Sequence, residues 1–284
     1  MNFQYIQKIP LSTSHGIYYR ADQVEISYHH ECILVSLLDR TEGLRGFILR
    51  NSAIQVFDLN TREFKTMIKF PTLDALCFKI EENDELGGDA WLVCWPNSSL
   101  FKCDLSKLLL EKKEERQFEN SSEYCIWEKQ VGFSIIGISL VRSQHQCYVF
   151  GGNTVQVLNL TSGDCMRQFQ MEVSPQWMIF DDSTCMWIVA DGSYSVNIYQ
   201  FHNDGNTWNR LTTLTRDLKT TMLMVDSVSK NIMTMNSYGT IEITTMDGNM
   251  IKSHSLRKRT FGMNINEITG ELLVSHNGGI DIFK

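Results

Sequence analysis

The sequence predicts an all-β protein made of six similar units, each containing four short strands. One stretch, GGNTVQVLNLTSGDCMRQFQM at residues 151–171, consists of two alternating apolar runs separated by a turn. Five related stretches occur elsewhere in the chain, about 45 residues apart. Each of them follows two further apolar runs of strand length. Because an isolated hairpin is only marginally stable, we expect the repeated hairpins to pack against one another.

The start of the third strand identifies the six units. This position is occupied in turn by Ile54, Leu100, Val155, Val196, Ile241 and Ile280. The second strands before it are CILVSLL, AWLVCWP, CYVFGG, MWIVADG, NIMTMNS and ELLVSHN, and a first strand precedes each of these. A repeat of this length with alternating rather than helical periodicity is typical of a β-propeller, in which each unit forms one blade.

The two ends of the chain predict how such a ring closes. The sixth unit ends at Phe283 and Lys284 after only three strands. An alternating run at residues 2–9, NFQYIQKI, belongs to no first-unit strand triplet. If this run supplies the missing fourth strand beside GIDIF, no sheet edge stays open there. The sequence therefore predicts a single domain over residues 1–284 with six blades, or alternatively seven, closed by the N-terminal strand.

Strand order and spacing resemble the WD-repeat family of β-propellers over essentially the whole chain, although the signature residues are missing. The Trp-Asp pair that ends the third strand in that family is replaced by Phe57-Asp58, Cys103-Asp104, Leu158-Asn159, Tyr199-Gln200, Thr244-Thr245 and Phe283-Lys284. The Gly-His pair is absent from every unit. The resemblance implies a propeller fold and, for function, a scaffold or adaptor subunit of a multiprotein complex.

Two insertions interrupt the second unit. Residues 81–89 carry five carboxylates and no basic residue, and residues 105–123 include LSKLLLEKKEER. The latter predicts a short helix with Ser106 as its N-cap and an apolar stripe of Leu105, Leu108 and Leu109. Such a helix either lies against its own blade or docks a partner. Both insertions are expected at the lower ends of the strands, where first-to-second and third-to-fourth turns lie.

The predicted upper ends, which carry the remaining turns, are richer in basic residues, and the lower ends in acidic ones. This separation would steer a charged partner toward one side. Aromatic residues beside arginine are typical of protein-interaction hot spots. We therefore predict a partner-binding surface for an acidic protein segment on the upper side. Its candidate residues are Arg257, Lys258, Arg259, Arg216, Lys219, Tyr18, Tyr19 and Trp177.

Other function classes have less support in the sequence. Basic loops interleaved with tyrosines could also contact nucleic acid, although the net charge of −7 argues against strong autonomous binding. A propeller hydrolase is a further alternative, but no catalytic or nucleotide-binding motif is present and the first strands read as largely apolar. Tyr28 to Glu31, YHHE, is expected to be a polar turn and not a metal site. We predict no enzyme activity, no metal site and no cofactor.

The eight cysteines are scattered singly, with no C-x-x-C pair. This pattern favours buried free thiols in a reducing compartment. Cys94, Cys147 and Cys185 in particular are expected to be buried within second strands. No apolar run reaches the ~18 residues of a membrane span, and the start of the sequence lacks the pattern of a secretory signal. We expect an intracellular protein, cytoplasmic or nuclear.

Overall fold

The computed structural model describes residues 3–11, 19–43, 46–70, 77–82, 88–95, 98–110, 115–117, 124–201, 208–216, 219–226 and 228–284. In this part of the chain the strands form six sheets, five with four strands and one with five. The chain divides into two compact units, residues 1–130 with 261–284 and residues 131–260. We call these unit 1 and unit 2. A single domain over residues 1–284 stays a prediction.

Unit 1 contains sheets 1, 2 and 6. Sheet 1 is formed by β2 (Tyr19–Ser27), β3 (Cys32–Gly43), β4 (Gly46–Asp58), β5 (Phe64–Lys69) and β9 (Glu115–Gln117). Sheet 2 is formed by β6 (Cys77–Glu81), β7 (Ala90–Trp95), β8 (Ser99–Asp104) and β10 (Cys125–Gln130), with helix α1 (Leu105–Leu109) after β8. Sheet 6 is formed by β23 (Thr260–Asn266), β24 (Glu271–His276), β25 (Gly279–Phe283) and β1 (Tyr5–Ile9).

Unit 2 contains sheets 3, 4 and 5. Sheet 3 is formed by β11 (Gly137–Val141), β12 (Gln146–Gly151), β13 (Thr154–Asn159) and β14 (Cys165–Gln170), with a 3₁₀ turn at Arg142–Gln144. Sheet 4 is formed by β15 (Trp177–Asp181), β16 (Met186–Ala190), β17 (Ser195–Phe201) and β18 (Trp208–Thr215). Sheet 5 is formed by β19 (Thr220–Val225), β20 (Ile232–Asn236), β21 (Thr240–Thr244) and β22 (Met250–Ser255).

The burial of each strand follows its position in the sheet. The second strands are the most apolar, and β20 and β24 are buried over nearly their full length. The fourth strands β10, β14 and β22 alternate between exposed and half-buried residues, as expected for a strand with one face in water. Core clusters lie between neighbouring sheets, around Trp91 in unit 1 and Trp187 in unit 2.

The closing strand predicted from the N-terminus is confirmed. β1 pairs antiparallel with β25, with Ile9 opposite Ile280, and completes sheet 6. Gln4 and Lys284 exchange two backbone hydrogen bonds of 2.9 Å at its outer end. Asn2 lies outside the described residues. β1 therefore covers the edge that β25 would otherwise leave open.

The insertion at residues 105–123 contains the predicted helix, but its N-cap residue differs and a further strand follows it. α1 is capped by Asp104, whose carboxylate accepts from the Lys107 backbone N–H, so the predicted N-cap Ser106 is wrong by two residues. Leu105 and Leu108 are buried in the core of sheets 1 and 2, which confirms the predicted alternative that the helix lies against its own blade. The insertion also supplies β9, which pairs parallel with β5 and covers the outer edge of sheet 1. The sequence gives no sign of this strand.

The expectation that the cysteines are buried is only partly correct, because four of them are buried, Cys77 and Cys125 are half-buried, and Cys165 and Cys185 are exposed. Cys94 and Cys147 are buried within β7 and β12. Cys185 is exposed, because it precedes β16 in a turn and has a left-handed backbone, with φ of 55°.

The predicted turn at residues 28–31 is confirmed. Of the predicted acidic insertion at residues 81–89, residues 83–87 lie outside the described residues.

Candidate functional site

The upper ends of sheets 4 and 5 carry the candidate surface. We use "upper" for the end of a sheet where the turn between its second and third strands lies and where its fourth strand leaves. Among the described residues of sheets 4 and 5, four stretches lie at this position: residues 191–194, residues 216 and 219, residues 237–239 and residues 256–259. All four belong to unit 2.

The basic segment between β22 and β23 presents two of its three charges. Arg257 and Arg259 are exposed, and Lys258 between them is half-buried. Arg257 has a left-handed backbone, with φ of 54°, so the chain turns sharply at this residue. The segment is thus a turn with alternating side-chain exposure, in which Arg257 and Arg259 meet solvent.

The basic segment is fixed to the neighbouring turn between β20 and β21. The Leu256 backbone N–H donates to the Gly239 carbonyl at 2.9 Å, and the Thr260 hydroxyl donates to the Asn236 carbonyl at 3.1 Å. A Cβ atom at Gly239 would lie 2.3 Å from the Lys258 carbonyl oxygen, and its φ is 81°. Only glycine permits this approach. The basic segment therefore has a defined position relative to this turn.

This turn presents an aromatic side chain. Tyr238 is 63% exposed, and its backbone N–H donates to the Asn236 carboxamide oxygen at 2.9 Å. The same oxygen accepts from the Thr240 N–H at 3.1 Å. Asn236 is itself buried, so it stabilises the turn from below. Sequence reasoning did not single out Asn236 or Gly239, although an Asn followed three residues later by Gly between two strands is a turn signal.

Arg216 is a correction to the predicted surface, because it is buried and not exposed. Its guanidinium donates to the Thr244 hydroxyl at 3.0 Å and lies 3.5 Å from the Glu242 carboxylate. Burial lowers the pKa of Arg216, and Glu242 partly offsets this. Its backbone N–H donates to the Tyr194 carbonyl at 2.6 Å. Arg216 therefore joins β18 to β21 and supports the turn that carries exposed Tyr194.

The remaining predicted residues lie in different surroundings. Lys219 is exposed and directly precedes β19. Trp177 is half-buried against the core between sheets 4 and 5, so it contributes chiefly to packing. Tyr18 is outside the described residues, and Tyr19 begins β2 in unit 1. The structure thus leaves Lys219, Arg257 and Arg259, with Tyr194 and Tyr238, as exposed residues at the upper end of sheets 4 and 5. We call these five residues the upper surface.

Charges differ between the two ends of unit 2. Lower-end aspartates are used within their own turns. Asp181 accepts from the Ser183 and Thr184 hydroxyls, and Asp226 accepts from the Ser229 hydroxyl at 2.6 Å. Burial tends to raise the pKa of both carboxyls, but these hydrogen bonds outweigh burial and lower it.

The exposed bases of the upper surface have no carboxylate partner among the described residues, which do not include 217 and 218. Among the described residues, no carboxylate forms an ion pair with Lys219, Arg257 or Arg259. Exposed positive charge of this kind attracts an approaching anion.

The first strands of unit 1 are less apolar than the sequence analysis expects. Glu25 accepts from the Gln23 amide at 2.8 Å and lies 2.5 Å from the Lys79 ammonium. Gln23 also donates to the Phe78 carbonyl, and Asn264 donates to Glu25 at 3.4 Å. Both Glu25 oxygens have partners, so this cluster joins sheets 6, 1 and 2 through hydrogen bonds and ion pairing and is structural.

The described part of the chain has neither a metal-binding cluster nor a membrane-spanning helix. No group of three or more His, Cys, Asp or Glu side chains there is arranged to hold a metal ion. None of the helices there combines the length and the hydropathy that crossing a bilayer requires.

Comparison with known proteins identifies the fold. No protein-family model matches the sequence, and no curated protein matches it either. Among solved structures, the Pan2 WD40 domain of Neurospora crassa is similar, with a TM-score of 0.57 and 10% sequence identity. The match covers 93% of this chain and 88% of the Pan2 chain. The chain therefore has the fold of a six-bladed, WD-repeat-like β-propeller, with the six sheets as its blades.

Proposed function

We propose that the protein is a non-catalytic interaction scaffold, a subunit of a multiprotein complex that binds an acidic segment of a partner protein through the upper surface. The observation that carries this proposal is the basic segment 256–259, which backbone contacts hold beside exposed Tyr238. WD-repeat propellers generally bind other proteins through their loops. An intracellular location, cytoplasmic or nuclear, belongs to the same proposal.

The geometry favours recognition of carboxylates. The bonds from Leu256 and Thr260 to the 236–239 turn already order the backbone of the basic segment, so binding would lose less conformational entropy than on a free loop. A guanidinium offers a planar fork that matches a carboxylate with two hydrogen bonds. Tyr194 and Tyr238 add large apolar areas with hydrogen-bonding ends. This combination of Arg and Tyr is typical of residues that dominate binding energy.

Charge reversal of the upper surface tests the proposal. The variant Lys219→Glu, Arg257→Glu, Arg259→Glu changes only exposed side chains, so it should melt as the wild type does. The control Lys8→Glu, Lys107→Glu, Lys284→Glu changes the net charge equally through exposed residues of unit 1. Both variants and the wild type are used for quantitative pull-down from native extract, at low and physiological salt.

We expect the upper variant to lose its principal partner at physiological salt, mainly through slower association, and the control to keep it. An upper variant that retains every partner would overturn the proposal.

Nucleic acid is the other class of ligand with matching chemistry. A labelled single-stranded oligonucleotide and a polyglutamate peptide are therefore titrated separately against the wild type. Binding of the oligonucleotide alone, with affinity that falls steeply with salt, would replace the acidic protein segment with nucleic acid.

A further inference from the structure

Two free cysteines face each other across neighbouring strands of sheet 2. Cys103 on β8 and Cys125 on β10 are directly opposite in the antiparallel register. Their side chains share a hydrogen bond. Cys103 is fully buried, and Cys125 is half-buried and therefore open to small molecules.

The backbone identifies this pair as one of the close, non-hydrogen-bonded positions of the ladder. The Asp104 N–H, one residue after Cys103, donates to the carbonyl of Tyr124, one residue before Cys125, at 2.8 Å. A bond of this kind brackets a non-hydrogen-bonded pair, whose Cα atoms lie about 4.5 Å apart. That separation is within the range that a disulfide spans, and the Cβ atoms are closer here than at other positions.

The other side of β8 gives the same result. The Leu105 N–H donates to the Asp89 carbonyl at 3.1 Å. This bond makes Asp104 and Ala90 a non-hydrogen-bonded pair, so the next pair along, Cys103 and Trp91, is hydrogen-bonded. The backbone groups of Cys103 consequently face β7, and its position toward β10 has no ladder hydrogen bonds.

A second cysteine pair in the same sheet has the opposite geometry. Cys77 and Cys94 are register partners on β6 and β7. The N–H and carbonyl of Phe78 both bind the Gln23 side chain, at 3.2 and 2.5 Å, so they face away from β7. The adjacent residue, Cys77, then occupies a hydrogen-bonded position, where the Cβ atoms of the two opposite residues lie farther apart than in a non-hydrogen-bonded pair. This pair is less suited to a disulfide and provides an internal comparison.

We propose that Cys103 and Cys125 form a redox-active pair, which a peroxide converts into a cross-strand disulfide between β8 and β10. No other part of the described chain combines two thiols at a close ladder position with access from solvent.

The thiols have different roles in this reaction. The hydrogen bond from Cys103 lowers the pKa of Cys125 to about 7, and the same bond together with burial raises the pKa of Cys103. Cys125 is therefore the thiolate that attacks the peroxide, and Cys103 is the resolving thiol.

The reaction balances with the peroxide as the oxidant. The Cys125 thiolate attacks one peroxide oxygen, the O–O bond breaks, and the sulfenic acid of Cys125 forms with release of hydroxide, which a proton converts to water. The Cys103 sulfur then attacks the Cys125 sulfur, the S–O bond breaks, and the hydroxyl leaves as a second water with the Cys103 proton. Two thiols lose two electrons, and one peroxide gains them.

The disulfide would join the two strands between which the insertion at residues 105–123 leaves and re-enters sheet 2. Cys103 precedes and Cys125 follows residues 105–123, which contain α1 and β9. Since β9 pairs with β5, the closed loop would carry the strand that covers the edge of sheet 1. Oxidation is therefore expected to stabilise this edge, because the cross-link restricts the unfolded insertion.

Peptide mapping of the folded full-length protein tests the proposal. Reduced protein is treated with a small excess of hydrogen peroxide, alkylated and digested without reduction. We expect a cross-linked peptide containing Cys103 and Cys125 to form at least about tenfold faster than one containing Cys77 and Cys94. Protein that is denatured before oxidation serves as a control, in which this preference should disappear.

Two variants separate the roles. Cys103→Ser should stop the reaction at a Cys125 sulfenic acid, which dimedone labels, and Cys94→Ser should leave the cross-link unchanged. The proposal is overturned if folded wild-type protein gives no Cys103–Cys125 peptide, or if the Cys77–Cys94 peptide forms as fast. Because both outcomes are read in the wild type, the test does not depend on the folding of a variant.

Discussion

Two isoleucines of the closing strand allow its contribution to be measured against a matched control. Ile9 is 1% exposed and packs in the core cluster that contains Ile33, Ile280 and Ile282. Ile6 lies on the same strand, three residues earlier, but is 43% exposed. Replacing each by alanine removes the same atoms from the same strand. The two variants therefore differ chiefly in the burial of those atoms.

The expected magnitudes follow from this burial. Truncating a fully buried isoleucine typically costs about 2–5 kcal/mol, from lost transfer free energy and the cavity that remains. Ile9→Ala should fall in this range, because side chains from β3 and β25 surround the site. Ile6→Ala should cost less than about 1 kcal/mol, since much of the side chain is already in water. An Ile9→Ala loss would be a large fraction of a typical stability of about 5–15 kcal/mol.

Equilibrium urea denaturation of both variants, monitored by tryptophan fluorescence and circular dichroism, measures the difference. We expect the free energies of unfolding of Ile9→Ala and Ile6→Ala to differ by about 2–4 kcal/mol. Equal losses for the two variants would refute the reasoning, because the N-terminal strand would then not be packed as the structure places it.

Three further predictions concern charged groups, each measured by chemical denaturation. Arg216→Ala should lower the free energy of unfolding by about 2–4 kcal/mol because it removes a buried guanidinium with two partners, whereas Lys219→Ala should change it by less than about 0.5 kcal/mol; equal effects would contradict the structural role of Arg216. Lys102→Met should cost about 3–5 kcal/mol, since Glu81, 2.7 Å from its ammonium, would stay buried without a partner, and adding Glu81→Leu should recover most of that loss; strictly additive losses would argue against the pair. Backbone N–H groups of its own turn, and then a lysine, lower the pKa of Asp58, so its contribution to stability is present above about pH 4 and is lost as the pH falls further. Asp58→Asn should therefore reduce the loss of stability between pH 6 and pH 3, and an unchanged pH profile would count against this.

Much of the fold can be predicted from the sequence, because strand position controls burial. The second strands are central, so both faces need apolar side chains and they appear as continuous apolar runs. The sixth repeat lacks a fourth strand, and the run at residues 2–9 belongs to no repeat. Together these two observations predict that the two segments pair and close the fold. Both are properties of local pattern and chain order, which are directly visible in the sequence.

The candidate surface is less predictable, because exposure depends on partners that are distant along the chain. Arg216 looks like an exposed loop residue, yet Glu242 and Thr244 of the next sheet bind it. β9 is only three residues long and is held by backbone pairing with β5, so it needs no apolar pattern that the sequence would show. Cys185 is the last residue of the turn before β16, one residue before this largely buried strand begins. In each case a contact or a one-residue boundary decides the result.

Site-specific photo-cross-linking tests the proposed upper surface most directly. A photoreactive phenylalanine analogue replaces Tyr238, which is 63% exposed, or Tyr5, which is 54% exposed on β1, and each protein is irradiated in native extract. The account predicts that position 238 cross-links to an acidic segment of a protein partner, that Arg257→Glu with Arg259→Glu abolishes this product, and that position 5 gives no such product. Cross-linking of the principal partner from position 5 alone, or a product at position 238 that survives both charge reversals, would contradict it.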